Sequence, residues 1–250
     1  MNKIALFFVF YITLTTALPR QERIVGGTVT SISVHPYSAA LLSFRSNGIF
    51  VQTCGGTIIN NRSILTTGSC LNYKVENLRS RIASSFANSG GEVHFASQLI
   101  QHPGYGIYTL ENDVGLFRVQ FAFRFGPNVR AAPIVGPNAV IPANTIVTAI
   151  GWGSINPGGY GRSEQLRQVQ IPTVPDYICQ YNYLNMTAGH LCAGPLEGGR
   201  GSCEGDHGSP LVLNNAIVGI TSFAYDCGAP NLPALYSRVA YFSNWIVGNA

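Results

Sequence analysis

Apolar residues fall in short runs along this chain, and almost none of the runs repeats with a helical period. "YSAALLSF" (37–44), "FVQTCGGTIIN" (50–60), "SILTTGS" (63–69), "SRIASSF" (80–86), "VHFASQLIQ" (93–101) and "DVGLFRV" (113–119) occupy the first half. "TIVTAIGWG" (145–153), "LRQVQIPTV" (166–174), "PLVLN" (210–214), "AIVGITSF" (216–223) and "ALYSRV" (234–239) follow in the second. Clusters of Gly, Pro, Asn and Ser separate them at spacings suited to an all-β barrel or sandwich. Only "VAYFSNWIV" (239–247) has helical periodicity, with Tyr241 and Trp245 on one face and Phe242 and Ile246 beside them. There is no fixed-period repeat and no low-complexity segment.

The start of the chain reads differently. Residues 1–17, "MNKIALFFVFYITLTTA", have a positive start at Lys3, a short apolar stretch and small residues before a cleavage point. That is the form of a secretory signal peptide. Its apolar run is too short for a membrane span, and no later stretch reaches the roughly 18 uninterrupted apolar residues that a span needs. The expectation is a secreted, extracellular protein without a membrane partner.

Composition then narrows the chemistry. With 250 residues, 46% of them hydrophobic, the chain can bury a sizeable core in one large domain or two small ones. Without residues 1–23 the formal charge falls from +4 to +2, with 12 basic against 10 acidic side chains. No basic cluster with interleaved aromatics occurs, which argues against nucleic acid. Lys74 is then the single lysine, against eleven arginines. Arginine keeps its charge at pH values where lysine begins to lose it, so the bias suits an alkaline fluid. Compositional drift would explain it equally well.

Six cysteines remain: Cys54, Cys70, Cys179, Cys192, Cys203 and Cys227. In a secreted chain they imply three disulfides, with fifteen possible pairings. No Cys/His spacing suggests a metal, and nothing implies a cofactor. Asn61-Arg62-Ser63 and Asn185-Met186-Thr187 are candidate glycosylation sequons.

Six stretches carry a resemblance. "RIVGG" (23–27), "CGGTIINNRSILTTGSC" (54–70), "NDVGLF" (112–117), "GWG" (151–153), "CEGDHGSP" (203–210) and "LYSRV" (235–239) lie in the order and spacing of the chymotrypsin-type serine proteases. Stretches such as "ASSFANSGGEVH" and "SEQLRQVQIPTV" look most like insect, especially lepidopteran, digestive trypsins, which beside the scarcity of lysine implies an alkaline gut lumen. The resemblance covers essentially all of residues 24–250. It implies two packed six-stranded antiparallel β-barrels with a short C-terminal helix and a site in the cleft between them. It also implies disulfides Cys54–Cys70, Cys179–Cys192 and Cys203–Cys227. On the same ground, residues 18–23 read as a propeptide and Arg23-Ile24 as an activation cleavage site for another protease. The Ile24 ammonium would then pair with Asp206.

Carried over position by position, the resemblance predicts a broken catalytic triad. The mechanism needs a Ser nucleophile, a His base and a buried Asp. Asp113 stands at the Asp position. Ser69, in Thr67-Gly68-Ser69-Cys70, stands where the family has the base, and His207, in Gly205-Asp206-His207-Gly208-Ser209-Pro210, where it has the nucleophile. Ser69 and His207 could touch across the cleft, and a neutral His207 could donate to Asp113 or Ser69. The backbone donors of Gly205 and His207, however, are aimed at a carbonyl attacked from position 207. Ser209 is too far along its loop to replace the nucleophile, and His35, His94, His102 and His190 fall near no motif that would make them the base. At the specificity pocket, Gly201 replaces the floor carboxylate of trypsins. Ser222 is retained to pair with substrate backbone, and Ala224 and Ala234 replace two wall glycines and would narrow the slot. Two functions follow as expectations. One is a non-catalytic homolog that binds protease inhibitors, proteases or their substrates through the cleft rim. The other is a serine hydrolase with unconventional residues and altered specificity.

Overall fold

The computed structural model describes residues 25–156 and 161–250. The expected signal peptide (1–17) and propeptide (18–23), with Arg23 and Ile24, lie outside the described residues.

A two-residue strand, β1 (Thr28–Val29), precedes two barrels. The first contains β2 (Ser38–Phe44), β3 (Phe50–Ile58), β4 (Ser63–Thr66), β5 (Leu78–Ile82), β6 (Glu92–Gln101) and β7 (Gly115–Val119). It closes in the order β2-β3-β4-β7-β6-β5, all antiparallel. The second contains β8 (Ile146–Gly151), β9 (Arg167–Val174), β10 (His190–Ala193), β11 (Pro210–Leu213), β12 (Ala216–Phe223) and β13 (Ala234–Arg238). Here the order is β8-β9-β10-β13-β12-β11, and β11 pairs with β8 to close it. β1 is added outside this barrel against β9. The fold is thus the expected pair of six-stranded antiparallel barrels, with the short helix α2 (Val239–Asn249) at the C-terminus.

Local sequence explains the strands. β5, "LRSRI", alternates: Leu78, Ser80 and Ile82 are buried, while Arg79 and Arg81 stand half-exposed on the other face. Outside, the Arg79 guanidinium lies 3.7 Å from the centre of the Phe50 ring of β3 and 4.7 Å from that of Phe95 of β6, a cation–π sandwich. The β11–β12 hairpin turns on Asn214 and Asn215, both with positive φ (48° and 63°), as a two-residue turn between right-twisted strands requires.

The barrels share one apolar cluster. Leu42, Leu65 and Leu116 of the first meet Ile150, Trp152, Ile217 and Ile220 of the second, and α2 adds Val239, Phe242 and Ile246. The helix therefore buries the Phe242/Ile246 side; Tyr241, on the other, is 58% exposed. A second helix, α1 (Asp176–Asn182), and strand β10 belong to none of the apolar runs in the sequence. Both are short, and a disulfide from Cys179 of α1 to Cys192 of β10 holds them together. The other disulfides join Cys54 to Cys70 and Cys203 to Cys227. Among the described residues no helix is long and apolar enough to cross a membrane.

Burial raises the Tyr37 and Tyr183 phenols to about 12. The unfolded chain, with ordinary tyrosines, ionises near 10, so above that pH it holds fewer protons than the fold, and stability falls as pH rises through this window. Thermal melts from pH 7 to pH 11 should show their steep loss beginning at about pH 10. A steep fall well below that pH would refute this account.

Candidate active site

Asp113 lies just before β7, fully buried where the barrels meet. Its carboxylate is held from both sides. Oδ1 accepts the Ser69 backbone N–H at 2.7 Å, and Oδ2 accepts the Ser222 hydroxyl at 2.6 Å. The Ser69 hydroxyl is 3.2 Å from Oδ2 and 3.0 Å from Thr67 Oγ1, so its single proton has two acceptors in reach. Ser237, on β13, donates to the Asp113 carbonyl at 2.5 Å. Burial pushes the Asp113 carboxyl up, against the opposing pull of Ser222, Ser69 and the His207 charge. Ser69 opens a single helical turn, Ser69–Leu71, whose Cys70 is tied to Cys54 on β3. Its place beside Asp113 is therefore fixed by covalent and hydrogen bonds together.

His207 is turned away from this pair. Its Nδ1 lies 2.7 Å from the Ser222 carbonyl oxygen and its Nε2 3.2 Å from Glu204 Oε2. No hydrogen bond joins it to Ser69 or to Asp113. The reason is local: Glu204, in the same turn, offers a more exposed carboxylate than buried Asp113. Burial disfavours the imidazolium, but Glu204, the Ser222 carbonyl and Asp113 outweigh it and hold the ring above its ordinary range. Glu204 is held below the usual carboxylate range, first by its hydrogen bond from His207. Glu204 also pairs with Arg162 at 3.1 Å. Arg162 donates to the Gln52 carbonyl at 2.6 Å, and Gln52 Nε2 donates to the Gly205 carbonyl at 2.8 Å. Glu204, Arg162 and Gln52 were not singled out from sequence, although Glu204 stands inside "CEGDHGSP", three residues before the histidine.

The 205–209 turn is tightly built. A methyl on Gly208, whose φ is +79°, would overlap Thr66 Oγ1 and the Gly55 carbonyl, so only glycine fits. The His207 carbonyl accepts the Gly55 N–H at 2.7 Å, across the barrels. Among the described residues, the N–H groups of Gly205 and His207 donate to no protein acceptor. Ser209 points inward against Gly55, is buried, and its hydroxyl has no hydrogen-bond partner. Asp206 is also buried, accepting N–H bonds from Gly153 (2.7 Å) and Cys203 (3.0 Å), and burial raises it to about 6.

The other sequence-selected residues are dispersed. A methyl at Gly201 would meet nothing within 4 Å, so the position faces open space. Ala234 belongs to the apolar cluster of the second barrel, and Ala224 packs against it. His35 binds Gln168 and Tyr37, His94 faces Glu92, His102 stacks near Phe242 and Trp245, and His190 binds Thr187 and the Leu110 carbonyl. None of them hydrogen-bonds Asp113, Ser69 or Ser222. Asn61 and Asn185 are exposed. Among the described residues no group of three or more His, Cys, Asp or Glu side chains is placed to hold a metal ion.

Comparison with known proteins matches residues 24–246 to the family described as Trypsin. "Trypsin, alkaline B" of Manduca sexta is 41% identical over 235 residues, covering 92% of this chain and 91% of the relative. "Trypsin CFT-1" of Choristoneura fumiferana is 42% identical over 241 residues, covering 94% of each. "Achelase-1" of Lonomia achelous is 41% identical over 208 residues, covering 80% of this chain and 95% of the relative.

The donors to Asp113 are unequal. Ser222→Ala removes the shortest bond to a buried carboxylate and should cost about 1–3 kcal/mol of stability. Ser69→Ala should cost less, because the Ser69 N–H stays in place. Urea unfolding of the two variants measures the difference; equal midpoints would show that the Ser222 bond carries no special weight.

Proposed function

The chain belongs to the trypsin family, and from that premise we propose that it is a non-catalytic binding protein on a protease scaffold. One observation carries the reading: the two acceptor oxygens of Asp113 are taken by serines, and the imidazole nearest the cleft is bonded to Ser222 and Glu204. The family's chemistry runs on an imidazole that takes a proton from a serine hydroxyl while a carboxylate orients its far nitrogen. In this cleft the carboxylate orients a hydroxyl instead, and that hydroxyl has no imidazole within hydrogen-bond reach. The exchanged pair is a poor substitute, because nucleophile and oxyanion donors must be matched to well within an ångström.

The ligands that suit the cleft are protein loops and peptides: protease inhibitors, proteases or their substrates. Gly201 gives the pocket floor no charge, so a substrate Arg or Lys would find no partner there. Secretion and processing after Arg23 by an activating protease complete the proposal. In that event the Ile24 ammonium would answer the buried Asp206, which otherwise has only N–H donors.

The purified protein, cleaved after Arg23, should neither react with a fluorophosphonate probe nor turn over a broad peptide library. Loss of the nucleophile or the base costs such triads about 10⁶-fold in turnover. Turnover sensitive to the probe would overturn the reading in favour of an altered hydrolase.

Restoring Ser69→His and His207→Ser together should not restore cleavage of Arg esters. Adding Gly201→Asp should be needed, because only then does the pocket hold a carboxylate for the guanidinium. Efficient, Arg-preferring hydrolysis by the double variant alone would refute the assignment of Gly201 to the pocket floor.

A further inference from the structure

Away from the cleft, the outer face of the first barrel carries two arginines without an acidic partner. β5 and β6 pair Arg79 with Phe95 and Arg81 with Val93, so these four side chains share one face. Phe44 and Phe50, paired on β2 and β3 with their rings 5.4 Å apart, extend it. Phe44 is 43% exposed and Phe95 50%. None of these residues surrounds Asp113 or His207.

The Arg79 guanidinium lies between the Phe50 and Phe95 rings, and its Nε is buried without a partner. Among the described residues it donates no hydrogen bond and meets no carboxylate within ion-pair distance. Arg81 donates one bond, to the Gly90 carbonyl, and it too has a buried, unpartnered Nε and no acidic partner. The acids of the neighbouring segments are turned elsewhere. Glu92 stands on the opposite face of β6, beside His94 at 3.4 Å, and Glu164 accepts from Asn88 at 2.8 Å. A guanidinium stacked between two rings keeps only its edge free. That edge is a planar fork of N–H donors, which matches a carboxylate and is already held in place. Residues two apart in a strand are about 6.6–6.8 Å apart. Alternate side chains of an extended peptide have the same spacing.

We propose that this face is a second binding site, separate from the cleft, for an extended acidic segment of a partner protein. Two carboxylates at alternate positions of the segment pair with Arg79 and Arg81, and its apolar side chains lie on Phe44, Phe95 and Val93. A peptide suits the face better than a sulfated polymer does, because the polymer brings charge for the two forks but no apolar group for the exposed rings. The site does not depend on whether the cleft is catalytic.

The probe is a fluorescein-labelled peptide, Gly-Leu-Glu-Ser-Glu-Leu-Gly, titrated with the purified protein and read by fluorescence anisotropy. Salt is kept at about 50 mM, where surface charges are weakly screened. Replacing either Glu of the peptide by Gln should weaken binding about tenfold, the loss expected for one charge-assisted pair. Placing the two Glu next to each other should weaken it as much, because neighbouring side chains of an extended chain point to opposite sides. Arg79→Lys keeps the charge and loses the fork, and should also cost about tenfold; Arg81→Gln should cost as much. Equal binding of the Glu and Gln peptides by the wild-type chain, or no saturable binding, would overturn the site without recourse to any variant. Binding that Arg79→Lys and Arg81→Gln leave unchanged would overturn its location. Retention on dextran sulfate that requires Arg79 and Arg81, with no discrimination among the peptides, would overturn the acidic segment in favour of a sulfated polymer.

Discussion

The cleft depends on one buried carboxylate. Asp113 belongs to the first barrel, yet Ser222 and Ser237, which satisfy its side chain and its carbonyl, belong to the second. A charge with no water around it must be given donors or it will not stay ionised. Here the two barrels must dock in one register for the donors to arrive. The shared apolar cluster supplies the driving force for docking, which is non-directional. The hydrogen bonds to the carboxylate are directional, so they add an alignment that burial by itself does not specify.

Around that fixed point the serine and the histidine have separate attachments. Ser69 is drawn to Asp113, through backbone and side chain alike, because it sits in a disulfide-tied turn directly beside the acid. His207 is drawn outward by Glu204. The histidine could reach Asp113 only by leaving a partly exposed ion pair for a site where burial penalises its charge. The imidazole is thus held on the outer side of Ser222, and the carbonyl of that residue is occupied from within the chain.

Much of this architecture was legible in the sequence, for identifiable reasons. The alternating strands announce their buried faces, as Leu78, Ser80 and Ile82 do in β5. The motifs around Cys70, Asp113 and Cys203 located the residues that meet in the cleft. What the sequence did not disclose was orientation. "VAYFSNWIV" names a helix but not which side faces inward, and Tyr241 proves to be outside. "DYICQYN" is too short to show a period, and β10 is only four residues long, so both are organised by tertiary contacts. The turn of His207 toward Glu204 was hidden for a related reason: two carboxylates compete for one ring, and burial decides between them.

The position of the two tryptophans has a spectroscopic consequence. Trp152 lies inside the cluster between the barrels, where its ring N–H donates to the Ser85 carbonyl at 3.0 Å, and Trp245 packs against the same cluster from α2. The chain has no other tryptophan. Its indole emission is therefore a report on the seam and not on either barrel by itself. A species with both barrels folded but parted would emit like an unfolded chain, while its far-ultraviolet dichroism stayed native. Disagreement between those two signals would be the optical signature of undocking.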